Sequence, residues 1–249
     1  MSGHSKWASI KHKKAATDAK KGKAFTQAAN MITIAAKQGG GDSKMNFSLR
    51  LAIDKARSVN MPAANIERAI KRGTGELGGS APEEIIYEGY SPGGVAVLVE
   101  TMTDNRNRTA SDVRSIFSKS GGNMAENGAV AYLFDQRGEI EISKEKDASE
   151  KIELAIIDSG ADDFEETENS YLIYTDYKNL QKVKENLEEN NLKIVSAEMT
   201  RVAKNEIKIN DQQMAEKVLK LIDSLEELED VTTVHANFDI AEEILEKIN

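Results

Sequence analysis

Between residues 137 and about 200 the hydrophobic pattern runs strand, helix, strand, strand, helix, strand, and that order constrains the fold more than any other feature of the chain. The segments are Glu139–Ser143, Asp147–Asp158, Phe164–Thr167, Tyr171–Thr175, Lys178–Asn190 and Lys193–Met199. Two strand–helix–strand halves in series are the layout of a ferredoxin-like βαββαβ unit. On its N-terminal side lie strands near Ile85–Tyr87 and Val95–Val99, a helix burying Val113, Ile116 and Phe117, and a strand at Ala129–Phe134. Thr109, followed by Asp112, reads as the capping box of that helix. On the C-terminal side a helix at Asp211–Leu228, a strand at Thr232–Ala236 and a last helix from about Asp239 follow. The flanking pieces together make a second α/β sandwich, so the ferredoxin-like unit reads as inserted within it.

The first 80 residues have a different character. Phe25, Ala28, Ala29, Ile32, Ala35 and Ala36 recur with helical period from Ala24 until Gly39-Gly40-Gly41 ends the run. A second helix spans about Met45 to Val59, and a third follows Pro62 with Ile66, Ala69 and Ile70 inward. Gly78-Gly79-Ser80-Ala81-Pro82 reads as a hinge. The expected fold class is therefore α+β and multidomain: an N-terminal three-helix domain plus two α/β sandwich domains. The predicted bounds are 1–80 for the helical domain, 81–136 with 201–249 for the discontinuous sandwich, and 137–200 for the acidic ferredoxin-like insertion.

Several function classes fall away at once. With no cysteine, disulfides, thiolate metal sites, iron–sulfur clusters and a cysteine nucleophile are excluded. The uncharged stretch Ala24–Ala36 is 13 residues long and holds four polar side chains, whereas a membrane span needs about 20 mostly apolar ones. No signal-peptide pattern opens the sequence, and a reducing, cytoplasmic setting is expected.

Charge is divided along the chain. Residues 1–80 carry 15 Lys/Arg against 5 Asp/Glu, and residues 81–249 carry 18 against 37, so a net of +10 faces a net of −19. Lys6, Lys11, Lys13, Lys14, Lys20, Lys21 and Lys23 are opposed over that stretch only by Asp18. A solvated tail would look similar, but Trp7, Ile10 and Ala15–Ala16 give the segment apolar anchors. Arg68, Lys71 and Arg72, spaced by three and four, share one helical face. Nucleic acid is the leading partner.

Catalytic and metal chemistry find little support. His4 and His12 are eight apart without an intervening carboxylate ligand, which fits no common zinc spacing, and His12 among lysines suits a phosphate contact better. Phosphate-binding glycine loops and nucleophile elbows are missing. The acids Asp162–Asp163 and Glu165–Glu166 read as surface. The expectation is no enzyme, no catalytic residue, no metal and no cofactor.

Two further segments stand out. Thr103-Asp104-Asn105-Arg106-Asn107-Arg108-Thr109 joins a buried strand to a helix, and its two arginines sit where the helix dipole disfavours cations. An anionic ligand clamped by guanidinium groups and backbone N–H groups would resolve that conflict, which makes Arg106 and Arg108 candidate contacts. Tyr87-Glu88-Gly89-Tyr90-Ser91-Pro92-Gly93-Gly94 reads as a hairpin turn with packed tyrosines in preference to a base-stacking platform.

Whole runs of this sequence also resemble a known family. Met1-Ser2-Gly3-His4-Ser5-Lys6-Trp7 through His12-Lys13-Lys14-Ala15-Ala16-Thr17-Asp18, Asn60-Met61-Pro62, Asn65 through Gly75, Tyr87-Glu88-Gly89-Tyr90 with Pro92-Gly93-Gly94, and Thr103–Thr109 closely resemble the YebC family. Ser43-Lys44 departs mildly, where an acidic residue or proline is commoner. The resemblance spans essentially the whole chain and implies a cytoplasmic three-domain protein with one α/β domain inserted in another. Members are described as transcriptional regulators binding promoter DNA, and the family includes a mitochondrial translational activator and bacterial members linked to translation of proline-rich sequences. None is known as an enzyme.

The expected function is thus a non-enzymatic, nucleic-acid-binding regulator of gene expression. A compact basic head on an acidic body suits docking on structured ribosomal RNA, with ribosomal proteins as possible neighbours. The alternative is a double-stranded-DNA-binding transcriptional regulator, and the third is a protein–protein adaptor acting through the acidic α/β domains. The candidate nucleic-acid contacts are Lys6, Lys11, His12, Lys13, Lys14, Lys20, Lys21, Lys23, Arg68, Lys71, Arg72, Arg106 and Arg108.

Overall fold

A computed structural model describes residues 18–78, 81–144, 149–167 and 169–248. The chain divides into two compact units, one ending at Phe134 and resuming at Ala203, the other comprising Asp135–Val202.

In the first unit three helices come first: α1 (Asp18–Gly39), α2 (Phe47–Ser58) and α3 (Ala63–Gly73). Their shared core is rich in alanine, with Ala28, Ala35, Ala36, Ala52, Ala56 and Ala69 around Ile32, Leu49 and Ile66. Small side chains let the helices approach closely. A methyl group at Gly73 would collide with the Thr33 carbonyl of α1. Buried Asn46 joins the first two helices: its Oδ1 accepts from Leu49 N–H at 3.0 Å as the N-cap of α2, and its Nδ2 donates to Ala35 O at 2.8 Å and Gly40 O at 2.9 Å. Among the described residues α1 already covers Asp18 to Lys23, ahead of Ala24, where apolar periodicity starts, because lysine and alanine carry good helix propensity without an apolar period.

The rest of this unit is a four-stranded sheet in the order β3-β1-β2-β9. Its strands are β1 (Glu83–Tyr90), β2 (Ala96–Thr103), β3 (Asn123–Ala125) and, from the far side of the insertion, β9 (Val231–Ala236). β2 packs Val97 and Val99 against the cluster formed by α4 (Arg106–Lys119) and α7 (Gln212–Glu227). Ala96 and Leu98 join a second cluster with Val130 and Phe134. A strand covered on both faces reads as an unbroken apolar run, which is why Val95–Val99 was legible. β8 (Ile207–Ile209) and β10 (Phe238–Ile240) form a short parallel pair.

One predicted strand is absent: within Ala129–Phe134 the chain makes a 3-10 turn at Ala131–Leu133, and the next strand, β4 (Phe134–Ser143), starts only at Phe134. The cause is Glu88, whose carboxylate takes the N–H groups of Gly128, Val130 and Ala131 at 2.7, 2.6 and 2.8 Å. Backbone donors used in this way are lost to a ladder.

The second unit contains β4 (Phe134–Ser143), α5 (Ser149–Asp158), β5 (Asp163–Glu166), β6 (Ser170–Asp176), α6 (Leu180–Glu189) and β7 (Ile194–Ala203). The sheet order β5-β6-β4-β7, with β6 antiparallel to both neighbours, is the ferredoxin-like arrangement. Ile140, Ile142, Tyr171 and Ile173 are fully buried, as are Ile156, Leu180 and Leu187 of the helices. The last helix of the chain is α8 (Glu242–Ile248).

Candidate nucleic-acid interface

Of the expected basic contacts, Lys6, Lys11, His12, Lys13 and Lys14 lie outside the described residues, and Lys20 and Lys21 fall in the opening turn of α1 with side chains also outside them. Lys23 is engaged within the unit. It is half-buried, and its Nζ donates to the backbone carbonyls of Glu226 and of Leu228, the latter at 2.6 Å. Those carbonyls close α7, so the ammonium sits where a helix dipole favours a cation. One turn on, Gln27 Nε2 donates to Val231 O at 2.5 Å. One face of α1 is therefore fastened to the stretch 226–231, and Lys23 is part of the fastening.

α3 presents the clearest outward cationic set. Arg68, Lys71 and Arg72 are all exposed, the last two in its final turn, where cations are electrostatically comfortable. Beside them, Lys71 also lines a shallow groove with Gly41, Asp42, Glu67, Ile70, Thr74 and Glu76. Three carboxylates against one ammonium make that groove unsuited to phosphate, so the cationic surface is the outer face of α3 itself.

The 103–109 segment resolves its dipole conflict internally. α4 starts at Arg106 with Asn105 as N-cap, its Oδ1 accepting from Arg108 N–H at 3.2 Å, so the Thr109 capping box does not form. Thr109 lies one turn inside the helix and is buried, donating to Asp230 Oδ2 at 2.6 Å. Thr103 also reaches Asp230, at 3.1 Å, and Met102 N–H donates to the Asp230 carbonyl at 2.9 Å. Arg108 Nη2 lies 2.9 and 3.1 Å from the two Asp230 oxygens and 3.4 Å from Asp104 Oδ1. The anion that the sequence calls for at this helix start is thus Asp230, from 122 residues away. Burial pushes the Asp230 carboxyl up, but hydrogen bonds from Thr109, Arg108 and Thr103 outweigh it and hold the group below the ordinary aspartate range. The same hydrogen bond raises the Arg108 guanidinium.

Arg106 differs from Arg108. Its side chain is exposed and makes no ion pair among the described residues, while its carbonyl accepts from Tyr87 Oη at 3.2 Å. Because Lys23, Gln27 and Arg108 all bind the stretch 226–231, the structure brings α1 and the start of α4 to one region of the unit.

The Tyr87–Gly94 segment is structural throughout. Tyr87 and Tyr90 are packed, and Tyr90 Oη donates to Ala129 O at 3.0 Å. Burial pushes the Tyr87 phenol above its ordinary range, partly offset by the Arg106 charge. Gly89 leaves no room for a methyl group, which would lie 2.6 Å from Asn123 O and 2.7 Å from Phe117 Cε1. Gly93, with φ of 82°, makes the hairpin turn. Neither Asp230 nor Glu88 stands out in the sequence: Asp230 is one of four acids within residues 226–230, and Glu88 alternates with packed residues. Among the described residues no cluster of His, Asp or Glu has the makings of a metal site, and no helix is long and apolar enough to cross a membrane.

Comparison with known proteins bears directly on this chain. Residues 5–76 match the TACO1/YebC protein N-terminal domain, and residues 82–238 match the TACO1/YebC second and third domain. A protein of Persephonella marina called "Probable transcriptional regulatory protein" is 50% identical over 250 residues, covering 100% of both chains. One of the same description from Geobacter sulfurreducens is 53% identical over 248 residues, again covering 100% of both. The crystal structure of a conserved hypothetical protein from Aquifex aeolicus superposes with a TM-score of 0.88 at 49% identity, covering 95% of this chain and 97% of that one. With both domain descriptions matched and full-length relatives at half identity, the chain belongs to the TACO1/YebC family.

Proposed function

We propose that this protein is a non-enzymatic regulator of gene expression that binds structured RNA on the ribosome through its helical N-terminal part, as a translation factor. The observation that carries this reading is the charge division. Residues 1–80 have a net charge of +10, and the remaining chain has −19. Phosphate attracts the first and is repelled by the second, so the chain docks by one end. Exposed Arg68, Lys71 and Arg72 on α3 supply part of the contact, the lysines of residues 6–21 supply more, and Arg106 extends it. α3 offers one outward amide, Asn65, for reading base edges. That favours phosphate and shape recognition over direct sequence readout. On this reading the protein works in the cytoplasm and needs no cofactor.

A second reading, binding to promoter DNA, is favoured by one observation, the description of the relatives as probable transcriptional regulatory proteins. Titrating the full chain with a ribosomal RNA fragment, a promoter duplex and a random duplex at several salt concentrations separates the two. RNA docking through five or six phosphates loses roughly two to three decades of affinity between about 50 and 200 mM salt, with little preference between the duplexes. A preference of ~10³ or more for the promoter duplex over random DNA overturns the RNA reading in favour of the second.

A further inference from the structure

Among the described residues the inserted unit has a sheet with helices on one face only, and its other face has an ordered chemistry. Gly138 lies against Leu180 of α6, and Ile140 and Ile142 are fully buried, so even-numbered positions of β4 face the helices. Alternation places Glu139 and Glu141 on the opposite face. The register carries that face across the neighbouring strands: Glu139 pairs with Tyr174, which pairs with Asp163, and Glu141 pairs with Leu172, which pairs with Glu165. The result is two parallel rows, carboxylate–tyrosine–carboxylate and carboxylate–leucine–carboxylate. β6 supplies an apolar strip down the middle, and β4 and β5 supply carboxylates along each side. Leu172, Tyr174, Glu139, Glu141 and Glu165 are half-buried, with one Glu165 carboxylate oxygen buried, and Asp163 is exposed.

We infer that this face is the docking surface for a basic amphipathic helix of a partner protein. The carboxylates of β4 and those of β5 stand two strand spacings apart, about 9.5 Å. A helix with its side chains is about 10–12 Å across, so one laid along β6 sets its apolar stripe on Leu172 and Tyr174. Lysine or arginine on its two flanks then meets Asp163 on one side and Glu139 and Glu141 on the other. Charge complementarity selects the occupant. Residues 135–202 carry 18 Asp/Glu against 9 Lys/Arg, which repels RNA from the face even though a tyrosine on an open sheet could otherwise stack a base.

The test uses the full chain and a fluorescein-labelled helical peptide of leucine and lysine, with a leucine stripe flanked by lysines. Fluorescence anisotropy gives its affinity for the wild type, for Glu139→Gln/Glu141→Gln, for Leu172→Ser, and for Glu185→Gln/Glu189→Gln on α6, which removes the same charge elsewhere. The expected result is a loss of about tenfold for each sheet-face variant and less than about twofold for the α6 variant. The Glu→Gln pair preserves shape, so the comparison stands even if Leu172→Ser loosens the fold. Equal losses in the sheet and α6 variants would overturn the proposal, reducing the effect to the general field of an acidic unit. Displacement of the peptide by oligouridylate from this face, or self-association abolished by the same sheet variants, would overturn it in favour of RNA or of a second copy.

Discussion

Arg108 Nη2 lies 2.9 Å from Asp230 Oδ2, and this pair joins the start of α4 to the loop that precedes β9. The guanidinium that composition marks as a ligand contact is therefore held by the chain's own carboxylate, while Arg106, two residues earlier, is exposed. The expected consequence is asymmetric. Arg106→Ala weakens RNA binding severalfold and reduces its salt slope by about one phosphate contact. Arg108→Ala leaves the slope unchanged. Filter binding at three salt concentrations distinguishes the two, and an equal slope change for both variants counts against internal pairing.

Asp230 also links stability to pH. Its folded carboxyl is held below the ordinary value near 4, so its contribution is fully present above that range. It is lost as pH falls through the lower folded value. Asp230→Asn gives up charge-assisted bonds from Thr109 and Thr103, at a cost of about 1–2 kcal/mol at neutral pH. The gap in melting temperature between wild type and this variant is expected to shrink on titration from pH 6 to pH 3. A constant gap would mean the carboxylate charge contributes nothing.

Glu88 is 4% exposed and accepts three backbone N–H groups, so it behaves as a built-in anion for the turn at 128–131. Glu88→Gln replaces one acceptor oxygen by a donor facing those N–H groups, and about 2–3 kcal/mol of stability is lost. Thermal unfolding reads the loss, and RNA affinity measured on the folded fraction is expected to stay at the wild-type value.

These two carboxylates mark the limit of what the sequence discloses. Elements with a dense local signal were legible: the apolar run at Val95–Val99, the glycines closing α1, and the alternation that names the ferredoxin-like unit and its insertion. β3, β8 and β10, at three residues each, are too short to show a period. Thr109 resembles an N-cap because Thr-x-x-Asp is a local pattern, yet its hydroxyl serves a carboxylate 121 residues away. Ala129–Phe134 has strand composition, but Glu88 has already taken its donors. Lys23 reads as one more lysine in a basic run until α7 ends beside it. Apart from the three short strands, each miss has a long-range partner as its cause.

Lys23 and Gln27 give the fastening of α1 a direct test. Lys23→Ala/Gln27→Ala removes donors to the carbonyls of Leu228 and Val231 and so exposes the stretch 226–231. Hydrogen exchange there is expected to rise at least tenfold, while the salt slope of RNA binding falls by less than one contact. A fall of a full contact would place Lys23 on phosphate.

The central claim is that the basic end of the chain docks on the ribosome. Sucrose-gradient sedimentation of cell lysate at low and moderate salt tests it with the wild type and with Arg68→Ala/Lys71→Ala/Arg72→Ala, a change confined to exposed side chains of α3. The account predicts that the wild type migrates with ribosomal particles at low salt, is released as salt rises, and is largely lost from them in the triple variant. Wild-type protein that stays at the top of the gradient at both salt concentrations would contradict it.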